Sequence, residues 1–243
     1  MHARRQFGWI LAGLGAAVAL SPLVFAAKKP HTIFLGAPKR VPYSKAGDPA
    51  GAQAGEDTLK IRALIVDGAV KEWTTGDLHN VTDRSFVVRR ALRLNDELPG
   101  DQPVAAKAEW VWQRGPWLLV ERATGRTTAL KLPDYDPVVS QVIWFRDYGA
   151  YCGVTSSGKS LYAVVVQLAV RKPVLAKKIA ALSPDRGSSS DALCGLSEWQ
   201  RDPLRVTFHP AGKDAVSFDV IPGSAVLVED TADDEVAPAA KPR

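Results

Sequence analysis

Short runs of β-branched and aromatic residues, bounded by Gly, Pro, Asp and Ser, recur along most of this chain, and that pattern predicts strand after strand. No run of helical period stands out. The first runs cover 59–66, 69–74, 85–94, 109–112, 117–121 and 127–132. A second group covers 138–145, 148–154, 161–170 and 173–179, and a third 204–208, 215–221 and 225–228. Asp67-Gly68 separates the first two runs and is a strong hairpin signal, since both residues tolerate the positive φ that a tight β-turn needs.

The ends read differently. Residues 1–26 have the three parts of an export leader: a basic start at Arg4 and Arg5, an apolar run from Phe7 to Phe25, and small residues at Ala26 and Ala27. General secretion with cleavage after Ala26 is the first expectation. Twin-arginine export through Arg4-Arg5-Gln6-Phe7 is the second. Left uncut, 7–25 is long enough to anchor the chain in a membrane. Residues 27–57, rich in Pro, Gly, Ala and Lys, have linker composition, with Ile33-Phe34-Leu35 the one apolar knot able to dock on a body. Residues 229–243 are acidic, then Ala/Pro-rich, and read as a disordered tail. The expected folded body is therefore 58–228.

Within that body one form repeats. Trp112-Gln113-Arg114-Gly115, Trp144-Phe145-Arg146-Asp147 and Trp199-Gln200-Arg201-Asp202 each place Trp, any residue and Arg before a turn former. Each is followed, 13 or 14 positions after its Trp, by Gly and a basic residue: Gly125-Arg126, Gly158-Lys159 and Gly212-Lys213. The reading is a Trp closing one strand, a tight turn, a second strand, then a hairpin whose Gly supplies positive φ. Such units resemble blades of β-propellers of the bacterial envelope and of the WD type, over roughly 109–228, although the W-S-P-D-G and W-D signatures are missing. The resemblance implies a small propeller-like array of antiparallel sheets, with one Trp per unit packed between neighbouring sheets. An irregular β-sandwich is the alternative.

Composition adds setting more than chemistry. The net charge of +5 falls by two when Arg4 and Arg5 leave with the leader, a surplus too mild for a nucleic-acid binder. An exported chain meets an oxidising compartment, where Cys152 and Cys194 are expected to bridge; two separate buried thiols are the alternative.

One motif match demands a decision. Gly153-Val-Thr-Ser-Ser-Gly158-Lys159-Ser160 satisfies the phosphate-cradling P-loop pattern. A P-loop must open into a helix, yet Leu-Tyr-Ala-Val-Val-Val follows, which reads as a strand. Gly158-Lys159 also matches the hairpin position of the other two repeats, so the match is read as a hairpin turn and no nucleotide is expected. Asp77, His79 and Asp83 share a loop and are read as solvated polarity; Gly187 to Ser190 is read as a flexible polar loop, and His209 as exposed in the last hairpin. No metal set, catalytic residue or cofactor is expected. Arg84, Arg89, Arg90 and Arg93 make a basic strand, with Arg89 and Arg93 on one face and Arg90 on the other. Trp110 and Trp112 share a strand face near Trp117, which suits core packing better than a sugar platform.

The functional expectation is an exported, non-catalytic binding or scaffold protein of the cell envelope, its partner unknown, with an envelope protein or a glycan as the candidates. Nucleic acid is not expected, and contact with a membrane only through an uncleaved leader. An envelope hydrolase or lyase with a loop-borne site is the alternative, and P-loop nucleotide binding the third.

Overall fold

The structure, a computed structural model, describes residues 31–45, 56–95, 110–182 and 193–228. The leader at 1–26, the tail at 229–243 and the loop at 187–190 lie outside the described residues. Among the described residues, fifteen strands form three antiparallel sheets without a closed barrel.

The first sheet holds β1 (Ile33–Leu35), β2 (Lys39–Pro42), β3 (Thr58–Val66), β4 (Ala69–Thr82), β5 (Ser85–Asn95), β6 (Trp110–Glu121) and β7 (Thr127–Ala129). Its order is β1-β3-β4-β5-β6-β7, with β2 beside β1 on the same edge of β3. The expected linker at 27–57 thus gives way to two strands. Ile33 and Leu35 pack on Leu64, Phe86, Val88 and Leu118, and Val41 packs on Leu59 and Ile61. A few apolar residues suffice there because the exposed edge of β3 supplies the backbone partners.

This sheet curls until the end of β2 meets β6. Tyr43 bridges Trp112, the Ser44 N–H donates to the Trp112 carbonyl at 2.9 Å, and Arg114 donates to the Tyr43 hydroxyl at 2.6 Å and to both oxygens of Glu56. The curl wraps the side chains of Leu59, Ile61, Ala91 and Trp112, with Trp73 alongside.

The second sheet is an up-and-down meander of β8 (Ile143–Phe145), β9 (Tyr148–Val154), β10 (Ser160–Gln167) and β11 (Leu175–Ala181). The third repeats that plan with β12 (Glu198–Gln200), β13 (Arg205–Phe208), β14 (Val216–Ile221) and β15 (Ser224–Leu227). The second sheet is covered on both faces. Ala150, Cys152, Leu161, Ala163 and Val165 pack on Val206, Phe208, Phe218 and Val220 of the third sheet. Tyr151, Val164 and Val166 pack towards Trp117 of the first sheet and towards Leu132 and Tyr135. Alternate residues thus serve opposite cores, the period-two behaviour of a strand buried on both sides.

The second and third sheets share a plan at this level. Trp144 opens the second sheet and meets Trp117 of the first edge to face, with ring centroids 5.5 Å apart. Trp199 opens the third and stacks on Phe145 of the second at 5.6 Å, its indole N–H donating to the Ile143 carbonyl at 3.0 Å. Trp112 departs from this plan. It lies inside β6, buried in the curl of its own sheet, and no reversal follows it. Gly115-Pro116 makes a bulge, since Pro offers no N–H to a ladder, and pairing with β5 resumes on both sides: Ala91 with Arg114, and Arg89 with Trp117. Gly125, Gly158 and Gly212 all sit at hairpins with φ of 66°, 69° and 68°.

Candidate functional site

The described surface opens into a groove of about 640 Å³ across the first sheet. Its floor is made by β4, β5 and β6, and β2 contributes one wall through Lys39. The strand register explains the contents. Trp110 and Trp112 are two apart on β6 and so share a face, and the pairings of Asn95 with Trp110 and Arg93 with Trp112 set Arg93 diagonally beside Trp110. Its guanidinium lies 4.3 Å from the centroid of that indole. One strand over, the pairing of Thr74 with Arg90 sets Arg90 diagonal to Glu72, and the two form an ion pair at 2.9 Å.

Lys39 completes the aromatic end. Its ammonium stands 4.2 Å from the centroid of Trp73 and 5.9 Å from that of Trp112, two indoles that meet edge to face at 5.8 Å. A cation over an indole face is attracted by the ring quadrupole. Trp112 is buried, whereas Trp110 is 44% exposed. With Lys71, the described lining of the groove carries four cations and one carboxylate, Glu72, which pairs with Arg90. Such a lining attracts anions and repels cations.

The arginines expected on the basic strand have three fates. Arg90 and Arg93 line the groove, and Arg84 is exposed in the turn before β5. Arg89 turns inward, 6% exposed, donates from Nε to the Gly115 carbonyl at 2.8 Å, and lies 5.8 Å from the ring centroids of Trp117 and Tyr135. The bulge explains the difference, because it frees the Gly115 carbonyl that Arg89 then satisfies. Lys39, Lys71, Glu72 and Trp73 were not singled out in sequence. Lys39 lay in a stretch of linker composition, and Trp73 meets Trp112 only through the curl.

The other singled-out residues lie elsewhere. Gly153 belongs to β9, Gly158 and Lys159 to the hairpin, and Ser160 begins β10, so a strand follows where a P-loop needs a helix. Gly153 has its own steric reason, since a Cβ there would lie 2.9 Å from the Asp134 carbonyl oxygen. His79 stacks on Trp144 and hydrogen-bonds the Arg146 carbonyl at 2.7 Å, joining the first two sheets, while Asp77 and Asp83 are exposed. His209 is not free in solvent: its ring lies 3.6 Å from Glu198 and its backbone carbonyl accepts from the Gly195 N–H. Among the described residues no three His, Cys, Asp or Glu side chains gather as a metal site. Cys152 and Cys194 are disulfide-bonded, with Cα atoms 6.3 Å apart.

Fold and site together define an all-β protein of three stacked antiparallel sheets with a tryptophan-lined cationic groove on the first. No family model, curated protein or solved structure matches the chain significantly.

Proposed function

We propose that this protein is an exported, non-catalytic binding module of the cell envelope, and that its groove holds an anionic ligand. The observation that carries the reading is the set of Lys39, Lys71, Arg90 and Arg93 around exposed indole surface. Glu72, the carboxylate in the described lining, is engaged by Arg90, which leaves it poorly placed to act as a base. The leader at 1–26 supports export, and a disulfide suits an oxidising compartment. No helix among the described residues is long and apolar enough to cross a membrane. The second and third sheets, each a four-stranded meander led by a Trp seated on the preceding sheet, support a propeller-like reading of the array.

The test is titration of the purified chain with dextran sulfate and with uncharged dextran, at low and high salt. Salt-sensitive binding of the sulfated polymer alone, weakened in Lys39→Ala and in Arg93→Ala, is the expected outcome. Equal affinity of both variants and the parent would remove the groove from the function.

A further inference from the structure

We infer that β15 is the pairing edge for a second copy of this chain, joined about a two-fold axis at Val226 so that two four-stranded third sheets become one continuous sheet. The inference stands apart from the anion-binding reading, since the described lining of the groove belongs to the first sheet.

Among the described residues β15 pairs only with β14 and forms the last strand of its sheet. The Val228 N–H donates to the Ser217 carbonyl at 2.9 Å. Antiparallel alternation then turns the backbone groups of Ser224 and Val226 towards β14 and those of Ala225 and Leu227 away from it. The outward N–H and C=O groups sit symmetrically about Val226. A second β15 laid antiparallel, with Val226 opposite its own mate, sets Ala225 against Leu227 of the partner copy and Leu227 against Ala225 of the partner copy. Each of these pairs exchanges two hydrogen bonds. Every outward group of β15 is then satisfied, and the same patch serves both copies.

The side chains agree with the backbone. Phe218 and Val220 face the second sheet, so Val226, paired with Asp219, lies on the opposite face with Ile221 diagonal to it. Both are exposed, as is Leu227 on the other face. In the two-fold register the two Val226 side chains meet as a close, non-hydrogen-bonded pair with an Ile221 beside each. Other edges are guarded against such pairing. β11 carries Lys177 and Lys178, β2 ends on Pro42 and β12 carries Glu198, while Trp199 takes the Ile143 carbonyl of β8. β1 and β7 are three residues long. β15, Ser-Ala-Val-Leu, has neither a charge nor a proline. Charge sets the direction. Residues 229–235 (Glu-Asp-Thr-Ala-Asp-Asp-Glu) follow β15; a parallel partner would run two such acidic stretches side by side, whereas an antiparallel one sends them off at opposite ends. The pairing leaves both grooves open, so one assembly offers two of them to a polyanion long enough to reach both.

The experiment is sedimentation of the full chain from about 10 μM to about 1 mM, a span that suits a small interface. The mass is expected to rise from one chain to two, without larger species. Val226→Lys sets two ammonium groups against each other, and Leu227→Pro removes an outward N–H and none that bonds β14. Each is expected to weaken association at least tenfold, with circular dichroism unchanged. Val170→Lys, exposed beyond β10, leaves it unchanged. Val226→Cys is expected to cross-link two copies under oxidant, whereas Ser224→Cys, two residues from the axis, is not. A single chain at every concentration, association indifferent to both edge variants, or cross-linking at 224 as readily as at 226 would overturn the inference. So would a chain that associates only after removal of 229–243, since the tail and not a second copy would then cover the edge.

Discussion

Arg89 and Arg93 sit four residues apart on β5 and meet opposite environments. Arg93 stays with solvent and the Trp110 face, so its replacement should alter binding and leave stability almost untouched. Arg89 is 6% exposed, and its Nε satisfies the Gly115 carbonyl at the bulge. Arg89→Ala strips that carbonyl of its partner and opens a gap beneath Trp117, at a cost of about 2–4 kcal/mol, to be read as a lower denaturant midpoint. Arg89→Lys should recover only part of this, since an ammonium lacks the planar surface that lies against two rings. Asp67 gives a pH-dependent counterpart. A hydrogen bond from His31, then one from the Thr32 N–H, holds its carboxyl below the usual carboxylate range. A carboxyl lowered on folding adds stability above its unfolded pKa and loses it as pH falls through the folded one. Both bonds tie the start of β1 to the β3–β4 turn. Protection of the Thr32 amide from exchange should therefore persist through the ordinary carboxylate range and fall only at more acid pH. In Asp67→Asn, which keeps an acceptor for the Thr32 N–H and has no carboxyl to titrate, that fall should disappear.

Three hairpin glycines share a backbone and differ in surroundings. A Cβ at Gly158 or Gly212 meets nothing within 4 Å, whereas at Gly125 it would lie 2.6 Å from Val66 Cγ1. Gly158→Ala and Gly212→Ala should each cost about 1–2 kcal/mol, the strain of a side chain at positive φ. Gly125→Ala should cost more, and Val66→Ala in the same chain should return part of the excess, measured as a double-mutant cycle. Equal losses at all three positions would show that the Val66 contact is unimportant. These hairpins were legible in the sequence because their determinants are local: a Gly beside a basic residue between two apolar runs. The same local view read Gly115 as a turn, since a bulge and a reversal use the same residues and only the pairing of β5 on both sides separates them. It also read β1 and β2 as linker, because their partners lie on β3, after a stretch of linker composition.

The candidate site was legible only in halves, Arg90 and Arg93 on one predicted strand and Trp110 and Trp112 on another, because its assembly depends on the curl that brings β2 to β6. The layering of the whole molecule depends likewise on contacts remote in sequence, and the disulfide is the covalent one among them. Cys152 lies on the central β9, while Cys194 precedes the third sheet and bridges Pro210 beside its β13–β14 turn. The bond thus fastens the third sheet to the second across 42 residues of chain. By loop entropy, closing such a span limits the unfolded chain by about 4 kcal/mol. That is a large share of the roughly 5–15 kcal/mol that holds an ordinary domain together. The noncovalent seam there comprises Val206, Phe208, Phe218 and Val220 against the second sheet, while the first sheet has its own clusters and the Tyr43–Arg114–Glu56 clamp. Reduction should therefore act unevenly. Under mild denaturant the reduced chain should lose amide protection first in β12 to β15, with β3 to β6 protected until a higher concentration. Groove binding should persist over that interval. Simultaneous loss of protection in all three sheets would instead make the molecule one cooperative unit, in which the disulfide stabilises the groove as much as the seam it spans.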